Sequence, residues 1–225
     1  MNLEQTNIPI LQGINIHKKI NNKDILKNIQ VQINPAEMVS IVGPSGAGKS
    51  TLLHILSTLD TCSSGEIYFK KTRLNTLKTV ELSHFRNKHI GFIFQFHHLL
   101  PEFTSAENIL IPALIAGKQK QHALKRVAYL LDILGIKDKY DSKPNEMSGG
   151  EQQRVSIARA LINEPAIIFA DEPTGNLDTA NAASIEQIFL SLNKEFKQSF
   201  VIVTHNMQLA SKCTRIIEMK DGKIM

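Results

Sequence analysis

The stretch MVSIVGPSGAGKST, Met38 to Thr51, decides the fold of this chain. Met38 to Val42 is a short apolar run, as expected of a strand buried on both faces, and it stops at Gly43. Gly43, Pro44, Ser45, Gly46, Ala47, Gly48, Lys49 and Ser50 fit G-x-x-x-x-G-K-[ST], and a helix is predicted to follow from Ser50 to Leu59, with Thr51 in its first turn. Glycines let backbone N–H groups turn inward around phosphate oxygens, and the helix N-terminus adds the positive end of its dipole. In such a loop Lys49 reaches the β- and γ-phosphates and Ser50 ligands Mg²⁺. A plain glycine-rich turn beside a helix is the alternative, but here strand, loop and helix follow in the required order.

Outward from this loop the pattern alternates. Strands are expected at Ile25 to Ile33 (half-alternating, hence exposed and antiparallel), Gly65 to Phe69, Ile90 to Phe94, Ala166 to Ala170 and Phe200 to Val203. Helices are expected at Val80 to Asn87, Glu151 to Asn163 (stopped by Pro165) and Ser184 to Phe196, with a largely helical stretch from Phe96 to Met147. Apolar strands alternating with helices predict an α/β fold with a mostly parallel sheet covered on both faces. The polar sites fall at the carboxyl ends of those strands, where open α/β sheets bind ligands. No internal repeat and no linker interrupts the pattern.

Two such sites accompany the loop. Asp171 and Glu172 end an apolar strand, so Asp171 suits a hard cation and Glu172 could take the proton of an attacking water. Acids also end strands as simple surface caps. Ser148, Gly149 and Gly150 open a helix and form either a second anion site or an ordinary helix start capped by Ser148.

Composition narrows the class. The 225 residues carry 42% hydrophobic and 21% charged side chains, which excludes a disordered, collagenous or coiled-coil chain. No apolar run approaches a membrane span; the longest, Ile109 to Ala116, is broken by Pro112. The opening MNLEQTNIPI has neither the basic nor the apolar part of a secretory signal, and two cysteines make no disulfide framework. A protein of the reducing cytosol is expected. The net charge of +5 is scattered, which reads as a solvated surface without a nucleic-acid partner.

Together these elements resemble the ATP-binding cassette (ABC) ATPases from about Ile14 to Ile224. Gly43 to Ser50 matches that family's Walker A loop, Ile167 to Glu172 its Walker B strand and catalytic Glu, and Ser148 to Gly150 its signature. Gln95 falls at the Q-loop, Asn176 to Asp178 at the D-loop and His205 at the switch histidine; alone, Gln95 or His205 would read as a loop residue. The resemblance implies a P-loop ATPase fold with a mostly parallel core, an antiparallel β subdomain and a helical subdomain. It places one domain over 1–225, with the core at 1–95 and 155–225 and the helical, signature-bearing part at 96–154. It implies ATP and Mg²⁺ as cofactors, with Ser50, Gln95 and Asp171 as metal ligands and Glu172, His205 and Gln95 as catalytic residues. It further implies a nucleotide-sandwich dimer, in which Ser148 and Gly150 of one copy close on the γ-phosphate held by the other and Asp178 signals across the interface.

The stretch from Phe85 to Thr104 is similar to the ATPase subunits of lipoprotein-releasing transporters, which extract lipoproteins from the inner membrane of diderm bacteria. Macrolide-export and cell-division ATPases are the nearer alternatives, and DNA-repair ATPases a remote one whose long coiled coils are missing here. Phe96 to Phe103, beside Gln95, is read as a socket for separate membrane subunits, or else as core aromatics; adjacent His97 and His98 point apart and make no zinc site. The chain's end at Met225 is read as leaving the membrane domain to those partners, which places the protein on the cytoplasmic face of the inner membrane. One departure concerns the base: where many relatives stack a Tyr two places after a Lys, this chain has Ile20 after Lys18, leaving His17 or apolar contact to hold adenine.

Overall fold

Three strands explain the centre of the molecule, because their side chains are almost all apolar and have nowhere to go but inward. The structure, a computed structural model, describes residues 8–225; most of the N-terminal segment read above as lacking a secretory signal lies outside them. Chain order is β1 (Leu11–Ile20), β2 (Lys23–Ile33), β3 (Met38–Val42), α1 (Lys49–Leu56), β4 (Ser64–Phe69), β5 (Thr72–Arg73), α2 (Thr79–His89) and β6 (Ile90–Ile93). Then come α3 (Ser105–Ile115), α4 (Lys120–Ile133), α5 (Gly149–Leu161), β7 (Ile167–Asp171), α6 (Thr179–Phe196), β8 (Ser199–Val203), α7 (Met207–Lys212), β9 (Arg215–Lys220) and β10 (Lys223–Ile224).

Among the described residues the strands form two sheets, a four-stranded one ordered β2-β1-β4-β5 and a six-stranded one ordered β10-β9-β3-β8-β7-β6. The first is antiparallel throughout; in the second, β9, β3, β8, β7 and β6 run parallel and only β10 returns. Alternation along the parallel strands divides the core in two. Met38, Ile168, Phe200 and Ile202 face one cluster with Val127, Val155, Ile157 and Phe189 of the helices. Val39, Ile41, Phe169 and Val201 face the other, with Leu52 and Leu53 of α1 and Leu11, Ile16 and Leu26 of the antiparallel sheet. Phe169, Phe189 and Phe200 are fully buried, and truncating any one of them to Ala would cost about 3–5 kcal/mol.

Four expectations are corrected. The stretch Phe96 to Met147 is not helical throughout: Phe96 to Thr104 is non-helical, the two helices begin at Ser105 and Lys120, and the residues before Met147 make only short 3₁₀ turns. Thr104 explains the first boundary, since its hydroxyl accepts the Glu107 N–H while the Glu107 carboxylate accepts the Thr104 N–H. Pro112 does not break the apolar run: α3 continues through it, and the Pro112 carbonyl accepts the amides of Asn87 and Asn163. The helix expected from Ser184 begins at Thr179, because Asp178 caps it by accepting the Asn181 N–H at 2.8 Å. Ile25 to Ile33 lies within antiparallel β2, yet Leu26, Ile29, Val31 and Ile33 are buried, so only one face of that strand is exposed.

Candidate active site

Register brings the site together. Ile41 pairs with Val203, Asp171 with Val203 and Ile93 with Ala170, so the carboxyl ends of β3, β8, β7 and β6 lie along one edge. Gly43, His205, Glu172 and Gln95 leave that edge within two residues of their strands. The Glu172 N–H donates to the Val203 carbonyl at 2.9 Å, tying two of these ends directly.

The loop turns back at Ala47, whose N–H donates to the Pro44 carbonyl at 3.2 Å, and Gly48 caps α1 with φ 95°. A Cβ at Gly46, which sits at φ 78°, would meet no atom within 4 Å, so open space lies beside the loop there. Lys49, only 6% exposed, folds its ammonium back onto the loop and donates to the Gly43 and Pro44 carbonyls at 2.9 and 3.0 Å. An ammonium held by loop carbonyls alone, at the N-terminus of α1, suits a polyphosphate that can replace them. Ser45 is exposed, and Thr51 sits half-buried on α1 beyond Ser50.

Ser50 Oγ donates to Asp171 Oδ1 at 2.9 Å, so the two predicted metal oxygens touch. His54, one turn further along α1, places Nε2 3.5 Å from Asp171 Oδ2. Sequence reasoning passed over His54, although its spacing of four from Ser50 puts both on one helix face. The Gln95 amide goes elsewhere: its Nε2 lies 3.4 Å from Asn176 Oδ1, and Asn176 Nδ2 donates to the Gln95 carbonyl at 3.2 Å.

Glu172 sits at φ 44°, a left-handed conformation taken where the chain leaves β7. Glu172 Oε2 accepts the His205 backbone N–H at 3.2 Å. His205 Nε2 lies 3.1 Å from Glu172 Oε1, an ion-pair distance but off the line of a hydrogen bond, so this buried oxygen accepts none. Burial pushes the Glu172 carboxyl above the usual range; the His205 N–H, the His205 ring and Lys49 pull it down, Asp171 pushes it up, and burial wins.

Ser148 caps α5: its Oγ accepts the Glu151 N–H at 3.3 Å, while Glu151 Oε2 accepts the Ser148 N–H at 2.8 Å. That backbone hydrogen bond, with help from Lys139, lowers the Glu151 carboxyl below the usual range. Among the hydrogen bonds of the described residues, none joins Ser148, Gly149 or Gly150 to the phosphate loop of the same chain. Ser148 and Gly149 are exposed, as is Asp178, whose carboxyl is held low by the Asn181 N–H it caps.

The sequence matches the ABC transporter family over residues 26–175. It is 53% identical over 96% of its length to the lipoprotein-releasing system ATP-binding protein LolD of Bacteroides fragilis, covering 99% of that protein. It is 50% identical to the protein of the same name from Aquifex aeolicus, over 96% of both chains. Among solved structures it resembles the ATP-binding cassette MJ0796 in a dimeric, post-hydrolysis state bound to ADP and Pi, with TM-score 0.87 and 39% identity over 95% of this chain and 96% of that one.

Proposed function

Because this chain belongs to the ABC transporter ATP-binding family, we propose that it is the ATP-hydrolysing subunit that drives lipoprotein release from a bacterial inner membrane. The chemistry is carried by one observation: a half-buried carboxylate, Glu172, one oxygen of which accepts no hydrogen bond, held against His205 at the edge that also bears the Lys49 loop. The cargo rests on likeness to LolD proteins over nearly the whole chain.

On this reading Gly43 to Thr51 wrap the nucleotide phosphates, and Lys49 exchanges its two loop carbonyls for phosphate oxygens. Ser50 and Asp171 are hard oxygen donors already in contact, so they are the residues that would hold Mg²⁺; Gln95, whose amide nitrogen lies against Asn176, would join them through its amide oxygen. The ion supplies neutralisation of the charge that develops on the transferring phosphoryl group. Glu172 takes the proton of the attacking water once the adjoining His205 ring, 3.1 Å from its Oε1, turns to hold the γ-phosphate and the line of attack. The exposed Ser148 end of α5 serves a second copy of the chain, whose loop it closes, and the exposed Asp178 reports across that interface. The neighbour MJ0796 is dimeric in a post-hydrolysis state bound to ADP and Pi, which supports a dimer.

No helix of the described residues is long and apolar enough to cross a membrane. On this reading membrane subunits carry the passage. Phe96, Leu100 and Phe103 are 65, 42 and 40% exposed, which favours a socket over a core for this stretch. The unit 96–154 would move with those partners as the dimer opens and closes, on the cytoplasmic face of the inner membrane.

The deciding experiment tags Glu172→Gln in the native host, solubilises membranes with ATP present and identifies what co-purifies by mass spectrometry. The expected result is a partner with a few spans and a large periplasmic domain, together with acylated lipoproteins. Drug-efflux or wall-regulating partners would remove the cargo claim and leave the ATPase.

A further inference from the structure

Glu186 on α6 is 3% exposed, and the chemistry above makes no use of it. A buried carboxylate is costly unless its oxygens are satisfied, and both of these are. Oε1 accepts Asn206 Nδ2 at 2.7 Å and Oε2 accepts Lys212 Nζ at 2.9 Å. The donors are thus the residue that follows His205 and the last residue of α7.

Asn206 is engaged at every polar atom of its side chain. Its Oδ1 accepts the N–H groups of Gln208 and Leu209 at 2.8 and 3.2 Å, which starts α7, while its own N–H donates to Thr204 Oγ1 at 3.0 Å. Asp would cap that helix equally well, but its second oxygen would face the Glu186 carboxylate at hydrogen-bond distance with no proton between them. The amide is therefore what the place demands. Glu172, His205, Asn206, Glu186 and Lys212 all line one cavity of about 360 Å³, and α6 itself is capped by Asp178.

We propose that Glu186 is a positioning residue for hydrolysis: through Asn206 it fixes the turn from Thr204 to Asn206, and so the His205 ring against Glu172. The inference rests on the roles given above to Glu172 and His205. It adds that α6, the helix capped by Asp178, holds the histidine turn from behind.

The test is a reciprocal pair. Asn206→Asp keeps the α7 cap and sets two carboxylates against each other; kcat is expected to fall roughly tenfold with the KM for ATP nearly unchanged. Adding Glu186→Gln supplies an amide donor to the new carboxylate and is expected to restore most of the lost kcat. Asn206→Ser, which caps without reaching Glu186, is expected to lower kcat without repulsion. In nucleotide-free protein the His205 imidazole Cε1–H resonance is expected to move in Asn206→Asp and to return in the pair. Wild-type kcat in both Asn206 variants, or a pair no better than Asn206→Asp alone, overturns the proposal. His205→Ala is assayed alongside: if it keeps full turnover, the role of His205 fails and this inference with it. If His205→Ala is inactive while the Asn206 variants are silent, only the positioning role falls.

Discussion

Gly150 and Asn181 of the same chain are packed so closely that a Cβ on the glycine would overlap Asn181 Oδ1 and come within 2.6 Å of its Cγ and 3.2 Å of its Cβ. The second glycine of the signature therefore seats the start of α5 against the start of α6. Asn181 is not free to leave, because its Nδ2 and N–H both donate to the Asp178 carboxylate. Gly150→Ala is expected to push Asn181 aside, weaken that cap by about 1 kcal/mol and lower ATPase activity by more than tenfold. Nucleotide binding at the Lys49 loop, measured by titration calorimetry, is expected to persist. Wild-type turnover would show that Asn181 yields without consequence.

Glu172 predicts a pH dependence. Its carboxyl is raised chiefly by burial, and the groups facing it are His205, Asp171 and Lys49. The acid limb of kcat is expected above the ordinary glutamate value of about 4.3, because the base must be ionised to act. The sign for stability follows by linkage. A folded-state pKa above the unfolded one means that the native state binds more protons between the two values, so stability falls as pH rises through that window. Glu172→Gln escapes this cost. Its melting temperature is expected to match wild type below the window and to exceed it above, in nucleotide-free protein. Equal melting temperatures at pH 4 and 7 would place the carboxyl in the ordinary range.

What the chain reveals of itself before folding depends on how one-sided each signal is. Met38–Val42 and Ile167–Asp171 are legible because strands covered on both faces are apolar at nearly every position, Ser40 and the terminal Asp171 being the exceptions, and a loop of fixed spacing follows the first. Leu11–Ile20 is not, because Asn15 takes φ 50° and the pairing slips between Gly13 and Ile16, which scrambles the alternation. Arg215–Lys220 reads as mixed because it lies near the sheet's rim, with only Ile217 and Met219 buried. At the site, residue types tied to a motif were visible, whereas His54 and Asn206 act through Asp171 and Glu186, distant in sequence, and carry no motif of their own.

Ile20 ends β1 with 47% of its surface exposed, a position open to a flat ligand. An aliphatic side chain offers adenine contact area but no ring to stack on. Ile20→Tyr is expected to lower the KM for ATP several-fold, from a stacking gain of about 0.5–1.5 kcal/mol. Guanine nucleotides, assayed in parallel, are expected to gain similarly, since every base has a flat face to offer. An unchanged KM would place the base away from Ile20.

Arg159, near the end of α5, reaches out of the helix that Ser148 caps and donates from Nη1 to the His98 carbonyl and from Nη2 to the His97 carbonyl, each at 2.7 Å. Burial lowers the pKa of this guanidinium from its ordinary value, so the two carbonyls are what compensate its desolvation. They also hold His98 at φ 47°, with its ring edge-on to Phe94, in the stretch proposed to receive the membrane subunits. Arg159→Met keeps the apolar length and removes both bonds. Hydrogen bonds to charged groups contribute about 1.5–3 kcal/mol each, and a chain of this size melts about 2–4 °C lower per kcal/mol lost, so a fall of roughly 10 °C is expected. The second consequence separates support from signalling. If Arg159 carries movement of the signature helix to Phe96 and Phe103, Arg159→Met is expected to retain basal ATPase well below its melting point while losing stimulation by the membrane subunits in vesicles. Equal proportional loss of basal and stimulated rates would make Arg159 a support for the loop and nothing more.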